Sequence, residues 1–303
     1  MKKIALDGDF NFTDEQLARL NAVGQVEKLK DTSSGDEWLS AARGYDVICT
    51  WGKFLGDQVI ESLDKLENVL VTYPYTELGS FDSAELAKRG VYVANARGGN
   101  RKSIVEWTMF MILSLYRQFP IYLRTTEQHP FSRTESLEGK RVLIVGHGTI
   151  GTEVGERCEA FDMIVDYFNR GDDLAAKASQ ADVVVNALNC NPSSENLLDA
   201  DFFSKMKKGS YYVTFARPYT YDIDGLIAAI NAGIVAGAAI DCDPEPLFDV
   251  SNAFYKKCMS NEKILVTPHV AGVTNQAAAN GLEIMVANVE AYLHDTPQNV
   301  LKK

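Results

Sequence analysis

The chain of 303 residues has no apolar run approaching the roughly 20 residues of a membrane-spanning helix. Its opening, Met-Lys-Lys-Ile-Ala-Leu-Asp, holds too short an apolar segment for a secretory signal, and Asp7 and Asp9 follow at once. The expectation is a cytoplasmic protein with no membrane partner. Cysteine is sparse: five residues (49, 158, 190, 242 and 258), odd in number and without a Cys-x-x-Cys pair. That excludes a disulfide framework or a zinc ribbon and leaves reduced packing residues. Positive charge is in deficit, 30 Lys and Arg against 41 Asp and Glu, for a net charge of −11. Nucleic acid is therefore not an expected partner, because phosphate backbones need clustered cations. Small anionic ligands stay open, since a local field can oppose the net charge. With only four histidines, the choice of a neutral-pH acid–base group is narrow. There is no internal repeat and no low-complexity linker.

What the chain does have is an alternation of short apolar strands and helical segments from end to end. Ile4 to Leu6, Val47 to Thr50, Val69 to Val71 and Val91 to Ala94 read as strands. Thr13 with Gln16 reads as a capping box opening a helix to about Ala22. A long helix is predicted from about Ser103 to Arg117. Further strands are predicted at Met163 to Phe168, Val183 to Ala187, Tyr211 to Thr214, Val235 to Ile240 and Ile264 to Thr267, with a last helix from about Asn275 to Leu293. Strands that alternate with helices imply parallel sheets and an α/β fold.

The most informative stretch is Arg141-Val-Leu-Ile-Val-Gly-His-Gly-Thr-Ile-Gly151. An uncharged apolar run, Val142 to Val145, reads as a buried parallel strand feeding a Gly-x-Gly-x-x-Gly turn and then a helix. Gly146 suits the tight turn, Gly148 the approach of a pyrophosphate to the backbone, and Gly151 close packing of helix on strand. The intervening His147, Thr149 and Ile150 then line a dinucleotide at a helix N-terminus. The motif starts near residue 146, so the first hundred residues form an α/β unit of their own, and the active site is expected in the cleft between the two units.

Beyond the glycines the chain resembles the NAD(P)-dependent D-2-hydroxyacid dehydrogenase family over nearly its full length. The segments that carry the resemblance are Leu137-Glu-Gly-Lys140, Val213-Thr-Phe-Ala-Arg217, Ala236-Gly-Ala-Ala-Ile-Asp241, Asp243-Pro-Glu-Pro246 and Val266-Thr-Pro-His-Val-Ala-Gly272. The resemblance implies two Rossmann-like, doubly wound parallel-sheet domains. One is a flavodoxin-like substrate-binding domain made of residues 1–97 plus 275–303; the other is a dinucleotide-binding domain of residues 98–274. It implies Arg217, Glu245 and His269 as catalytic residues, a homodimer, and a small 2-keto or 2-hydroxy acid as substrate. Phe215 and Asp241 are implied to touch the cofactor, Asp241 at the nicotinamide carboxamide. The chemistry suits the residue types. Imidazole can hold and release a proton near neutrality, a carboxylate on its far nitrogen fixes the tautomer, and a guanidinium can pair with a substrate carboxylate. His129, His147 and His294 fall in a loop, in the glycine turn and near the end, which leaves His269 as the acid–base candidate.

The sequence departs from the family pattern at several points. The ribose-reading position about 20 residues past the glycines is normally acidic in an NAD enzyme. Here it is Asn169, followed by Arg170. A neutral amide and a guanidinium favour NADP over NAD, while Asp166 falls mid-strand. Pro218 stands where the family has Gly and biases Arg217 toward an extended backbone. The family's glycine-rich substrate loop is Tyr75-Thr-Glu-Leu-Gly79 here, which makes Thr76 and Glu77 substrate candidates together with Asn100, with Glu77 expected to face outward. Arg97, Arg101 and Lys102 form either a solvated face or a basic rim for a phosphorylated or dicarboxylic keto acid. The leading function is hydride transfer between a nicotinamide cofactor and a D-2-hydroxy acid. The alternative is a catalytically weak, NAD(P)-sensing regulatory protein of the corepressor kind on the same fold. Formate oxidation is disfavoured because those enzymes carry Gln where this chain has Glu245.

Overall fold

The structure, a computed structural model, describes residues 1–51, 63, 65–76, 83–119, 122, 133–242 and 249–301. The chain divides into two compact units, Met1–Asn100 with Thr274–Lys303, and Arg101–Val273. The first break falls three residues beyond the expected 97/98, at the start of a long helix.

In the smaller unit the described strands are β1 (Lys3–Asp7), β2 (Gln25–Lys28), β3 (Val47–Thr50), β4 (Val69–Thr72) and β5 (Val91–Ala94), and the helices are α1 (Asp14–Val23), α2 (Gly35–Ala42) and α3 (Ser83–Lys88). All strand pairs are parallel, in the order β2-β1-β3-β4-β5. The capping box opens α1: the Thr13 side chain accepts from the Gln16 amide, and the Gln16 side chain accepts from the Thr13 amide. The strands β3, β4 and β5 are buried on both faces, as parallel sheets require, while β2 lies at the edge. Ala5, Ile48, Val71 and Val93 pack into one core, while Ile4, Val47, Cys49 and Leu70 pack into another. The long helix that returns from the other unit, here α10 (Asn275–Leu293), is capped by Thr274 and gives Met285, Val286 and Val289 to the second core.

The larger unit holds α4 (Arg101–Tyr116), β6 (Arg141–Val145), α5 (Thr149–Glu159), β7 (Ile164–Phe168), α6 (Leu174–Ala178), β8 (Val183–Asn186), α7 (Ala200–Ser204), β9 (Ser210–Thr214), α8 (Ile223–Asn231), β10 (Val235–Cys242), α9 (Ala253–Met259) and β11 (Ile264–Pro268). Its six strands are parallel in the order β11-β10-β9-β8-β6-β7. Alternate residues again enter opposite cores: Leu143, Val145, Val184, Tyr212 and Ile240 in one, Val142, Ile144, Val185, Val213 and Ala239 in the other. Because every strand runs the same way, the turns after β6, β7, β9, β10 and β11 share the carboxyl edge of one sheet. Ligands bind at that edge in open α/β sheets.

Candidate active site

The glycine turn has the geometry that its residue types dictate. Gly146 sits at φ +114, and a Cβ there would collide with the carbonyl of Ala187 after β8. A Cβ at Gly151 would strike the Gly146 carbonyl, so these two glycines hold the turn tight. Gly148 is different, because nothing lies within 4 Å of where its Cβ would be. It is the N-cap of α5 and makes no side-chain cap, which leaves the first amides of the helix available to an anion. Thr149 is exposed, and Ile150 is half-buried against the core. These features fit a dinucleotide pyrophosphate: two positions where a Cβ cannot stand and a third with open room above uncapped amides.

The ribose-reading position lies beside this turn, since Val145 pairs with Phe168 and each strand ends there. His147 stacks on Tyr167 of β7 with ring centroids 3.9 Å apart and an interplanar angle of 14°. Its Nδ1 lies 3.4 Å from Asn169 Oδ1. The Asn169 backbone amide donates to Asp172, and Arg170 reaches across to donate to Ser193 Oγ at 2.9 Å. The His147–Tyr167 stack was not expected. Its sequence signal is the small residue that makes room for the ring: a Cβ at Gly155 on α5 would collide with the Tyr167 hydroxyl.

After β9, Phe215 is half-buried against the core and Arg217 is half-exposed. Arg217 takes φ −65 and ψ 152, the extended backbone that Pro218 imposes on its predecessor, and Pro218 opens a short 3-10 turn. The Arg217 carbonyl accepts from both the amide (3.0 Å) and the hydroxyl (2.9 Å) of Thr220. Behind it, fully buried Asn186 donates to Thr220 Oγ1 and to the Tyr212 hydroxyl, each at 3.0 Å. A satisfied buried network therefore fixes the backbone that carries Arg217. Nothing in the sequence marked Asn186, because its partners are 26 and 34 residues away.

Asp241 is the penultimate residue of β10, directly opposite Thr267 on β11. It is 7% exposed, and both carboxylate oxygens are engaged. One accepts from the Thr267 hydroxyl at 2.5 Å and the Val270 amide at 2.9 Å; the other accepts from the Ala271 amide at 2.8 Å. The residue that these bonds bracket is His269, held at φ +60, a left-handed conformation that is uncommon outside glycine. Asp241 thus clamps the turn that presents the imidazole. Burial raises its carboxyl above the usual range, opposed by the three hydrogen bonds and by His269. Arg217 and His269 follow strands two places apart in the sheet, roughly 10 Å by the usual strand spacing. Glu245 lies outside the described residues.

In the smaller unit Thr76 follows β4, and its carbonyl accepts from the Asn95 side chain at 2.6 Å. Asn95 belongs to a buried ladder. Asn288 of α10 donates to the Asn95 carbonyl at 3.0 Å and to Thr72 Oγ1 at 3.3 Å, and Asn299 donates to Asn288 Oδ1 at 2.8 Å. Glu77 lies outside the described residues. Asn100 is half-buried at the end of its unit, next to Gly99, whose carbonyl accepts from Asn280. Of the three cations thought to form a rim, Arg101 lies 2.6 Å from the Glu153 carboxylate of α5, while Arg97 and Lys102 are exposed. Among the described residues no group of three or more His, Cys, Asp or Glu could hold a metal ion, and no helix is long and apolar enough to cross a membrane.

Two parallel α/β sheets, one with a dinucleotide turn after β6, between β8 and the edge strand β7, define a Rossmann-like architecture. The model of the D-isomer specific 2-hydroxyacid dehydrogenase NAD binding domain matches residues 109–271, more than half of the chain, so the chain belongs to that family. It is 30% identical over 246 residues to the D-3-phosphoglycerate dehydrogenase of Escherichia coli, covering 76% of this chain and 60% of that one. It is 31% identical over 218 residues to the enzyme of the same name from Bacillus subtilis, covering 66% and 41%. The chain therefore spans less than two thirds of either relative. Among solved structures, Rhodotorula graminis D-mandelate dehydrogenase superposes with a TM-score of 0.81 at 20% identity over 96% of this chain and 94% of that one. An acyclic imino acid reductase in complex with NADPH and D-Arg superposes with a TM-score of 0.82 at 18% identity, covering 99% and 100%. At these identities the likeness is one of fold. The expected family and the expected pair of parallel-sheet units are both borne out.

Proposed function

We propose that the protein reduces a 2-keto acid to the D-2-hydroxy acid, and runs the reverse oxidation, with a nicotinamide dinucleotide. The observation that carries this reading is the placement of the glycine turn, the Arg217 turn and the clamped His269 turn on the carboxyl edge of one parallel sheet. When bound, the cofactor supplies the hydride. His269 holds the proton that passes to the substrate's carbonyl oxygen in reduction and takes it back in oxidation. Arg217 pairs with the substrate carboxylate and polarises the neighbouring carbonyl. Glu245 is assigned to the imidazole on its far nitrogen, and Phe215 and Asp241 to the nicotinamide end. Selection of the substrate belongs to the smaller unit through Thr76, Glu77 and Asn100. A panel of 2-keto acids with NADPH and NADH, followed by nicotinamide absorbance, tests the reading. No turnover of any of them defeats it.

NADP is the favoured cofactor, because the residues after β7 are an amide and a guanidinium with His147 beside them. A 2′-phosphate meets no carboxylate from Asn169 and has the Arg170 guanidinium within the same turn. A lower KM for NADH than for NADPH rejects this assignment. A homodimer accords with the 54% exposure of Phe110 on α4, whose ring stands edge-on to exposed Phe119. Light scattering during gel filtration distinguishes a dimer from a monomer.

A further inference from the structure

We propose that the substrate's side chain ends in an aromatic ring, received by a ladder of four aromatic residues on the smaller unit. The proposal rests on the 2-keto acid reading above and narrows it to aryl-substituted 2-keto acids.

The strand order β2-β1-β3-β4-β5 reverses between β1 and β3. In open α/β sheets a ligand sits outside the carboxyl ends of the strands at that switch point. Here aromatic rings stand on both sides of it. Phe10 follows β1, Trp51 follows β3, and their rings stack at 4.9 Å with an interplanar angle of 15°. Phe12 extends the ladder inward, 5.2 Å from Phe10. Tyr75, after β4, extends it outward, 5.7 Å from Trp51 at a tilt of 49°.

The ladder is anchored at one end and open at the other. Phe10, Phe12 and Trp51 rest on the core of the unit, whereas Tyr75 is 54% exposed. Trp51 is pinned in place. Its indole N–H donates to the Asp9 carbonyl at 3.1 Å, and Gly8, at φ +120, lies so close that a Cβ would come within 2.6 Å of the indole ring. Tyr75 is fixed by its backbone, whose carbonyl accepts from the Ala96 amide at 2.8 Å. The next residue, Thr76, is the one assigned to substrate. An exposed ring at the end of a rigid stack offers a substrate ring an offset or tilted contact without the cost of ordering a side chain.

The charge at this edge argues against the other substrate class that the basic rim suggested. The described residues that follow β1, β3 and β4 (8–13, 51 and 73–76) include no Lys or Arg. They do include Asp9, which occupies Lys28 at 2.6 Å. Asp7, at the end of β1, accepts from the Trp38 indole at 2.7 Å and the Thr50 hydroxyl at 2.8 Å. Among the described residues at the ends of β1 and β3, a phosphoryl group would meet the Asp7 and Asp9 carboxylates and no cation but Lys28, which Asp9 holds, with the exposed Arg97 standing after β5; an aryl ring there meets rings.

Rates with phenylpyruvate, pyruvate and 3-phosphohydroxypyruvate, together with tryptophan emission titrated with D-phenyllactate, test the proposal. The wild-type kcat/KM is expected to be at least tenfold higher for phenylpyruvate than for either other acid. Tyr75→Ala should lower the phenylpyruvate-to-pyruvate ratio by about 3- to 10-fold, chiefly through KM, as expected for one lost ring contact. Tyr75→Phe should retain the ratio. Phenyllactate should quench the wild-type emission, and Trp51→Phe, which keeps Trp38 and Trp107, should lose the quench. A preference for pyruvate or phosphohydroxypyruvate, or an unchanged ratio in Tyr75→Ala, overturns the aromatic site. So does turnover of small 2-keto acids without any quench. A quench without turnover of any keto acid leaves the aromatic site standing and defeats the reductase reading instead.

Discussion

The two parallel sheets present opposite chemistries at equivalent edges. After β6, β9 and β11 of the larger unit come glycines, a guanidinium turn and an imidazole turn, each held by backbone or buried hydrogen bonds. After β1, β3 and β4 of the smaller unit come stacked rings. The scaffold physics is shared: apolar inner strands buried on both faces, with the chain leaving each strand at the same side. The loops differ, and under the proposed function transfer of hydride and proton would belong to one unit and recognition of the substrate's side chain to the other.

Breaking the larger unit's edge at its reactive group should have the largest effect. His269→Ala removes the proposed proton donor and should lower kcat by about 10²–10⁴-fold, with far-ultraviolet circular dichroism unchanged. A kcat within threefold of wild type rejects the assignment of the acid to this imidazole.

Asp241→Asn tests the clamp separately from the imidazole. An amide cannot accept at both ends, so at least one of the Thr267, Val270 and Ala271 donors is orphaned, at a cost of about 1–3 kcal/mol in unfolding free energy. The folded-state pKa of Asp241 is raised, so this carboxyl contributes stability that is present at acid pH and lost as pH rises through the folded value. The stability difference between Asp241→Asn and wild type should therefore be larger near pH 4 than near pH 7, as read by urea titration. A pH-independent difference contradicts the burial account.

The cofactor end should respond more mildly. Arg170→Ala should raise KM for NADPH about tenfold while changing KM for NADH less than twofold, the signature of one lost charge-assisted contact to a phosphate. Equal effects on both cofactors place Arg170 elsewhere.

The smallest effect is expected between two helices of the smaller unit, where Arg19 of α1 bridges Glu283 at 2.5 Å and Glu290 at 2.6 Å on α10. The Arg19 guanidinium, with help from the Gln16 amide, holds the Glu283 carboxyl below its ordinary range. A depressed carboxyl stabilises the fold above its unfolded value and loses that contribution as pH falls through the folded one. Arg19→Ala should cost about 0.5–1 kcal/mol at neutral pH, within the range of partly exposed ion pairs, and less than that near pH 3. Thermal melts at the two pH values check the sign.

Much of this architecture is visible in the residues themselves. Val142 to Val145 with the glycines after them, the Thr13–Gln16 box and the Thr274-capped helix are local signals, written in neighbouring residues and realised in place. Strand β2 is not visible in this way. Gln25-Val-Glu-Lys28 has one apolar residue because it lies at the sheet edge, where half of its surface meets solvent. The reading of Asp241 as a cofactor contact did not reach which amides its carboxylate caps, because they lie 29 and 30 residues away in the turn after β11.

By itself, the sequence determined the strand–helix alternation and the dinucleotide turn, because period and backbone freedom are properties of a few adjacent residues. Tertiary structure alone decided the left-handed turn of His269, the asparagine ladder from Asn299 through Asn288 to Asn95 and Thr76, and the ring stack from Phe12 to Tyr75. Each of these needs groups from separate strands brought within hydrogen-bond or van der Waals reach. That proximity is created by the order in which strands pair, and no short stretch of chain encodes it.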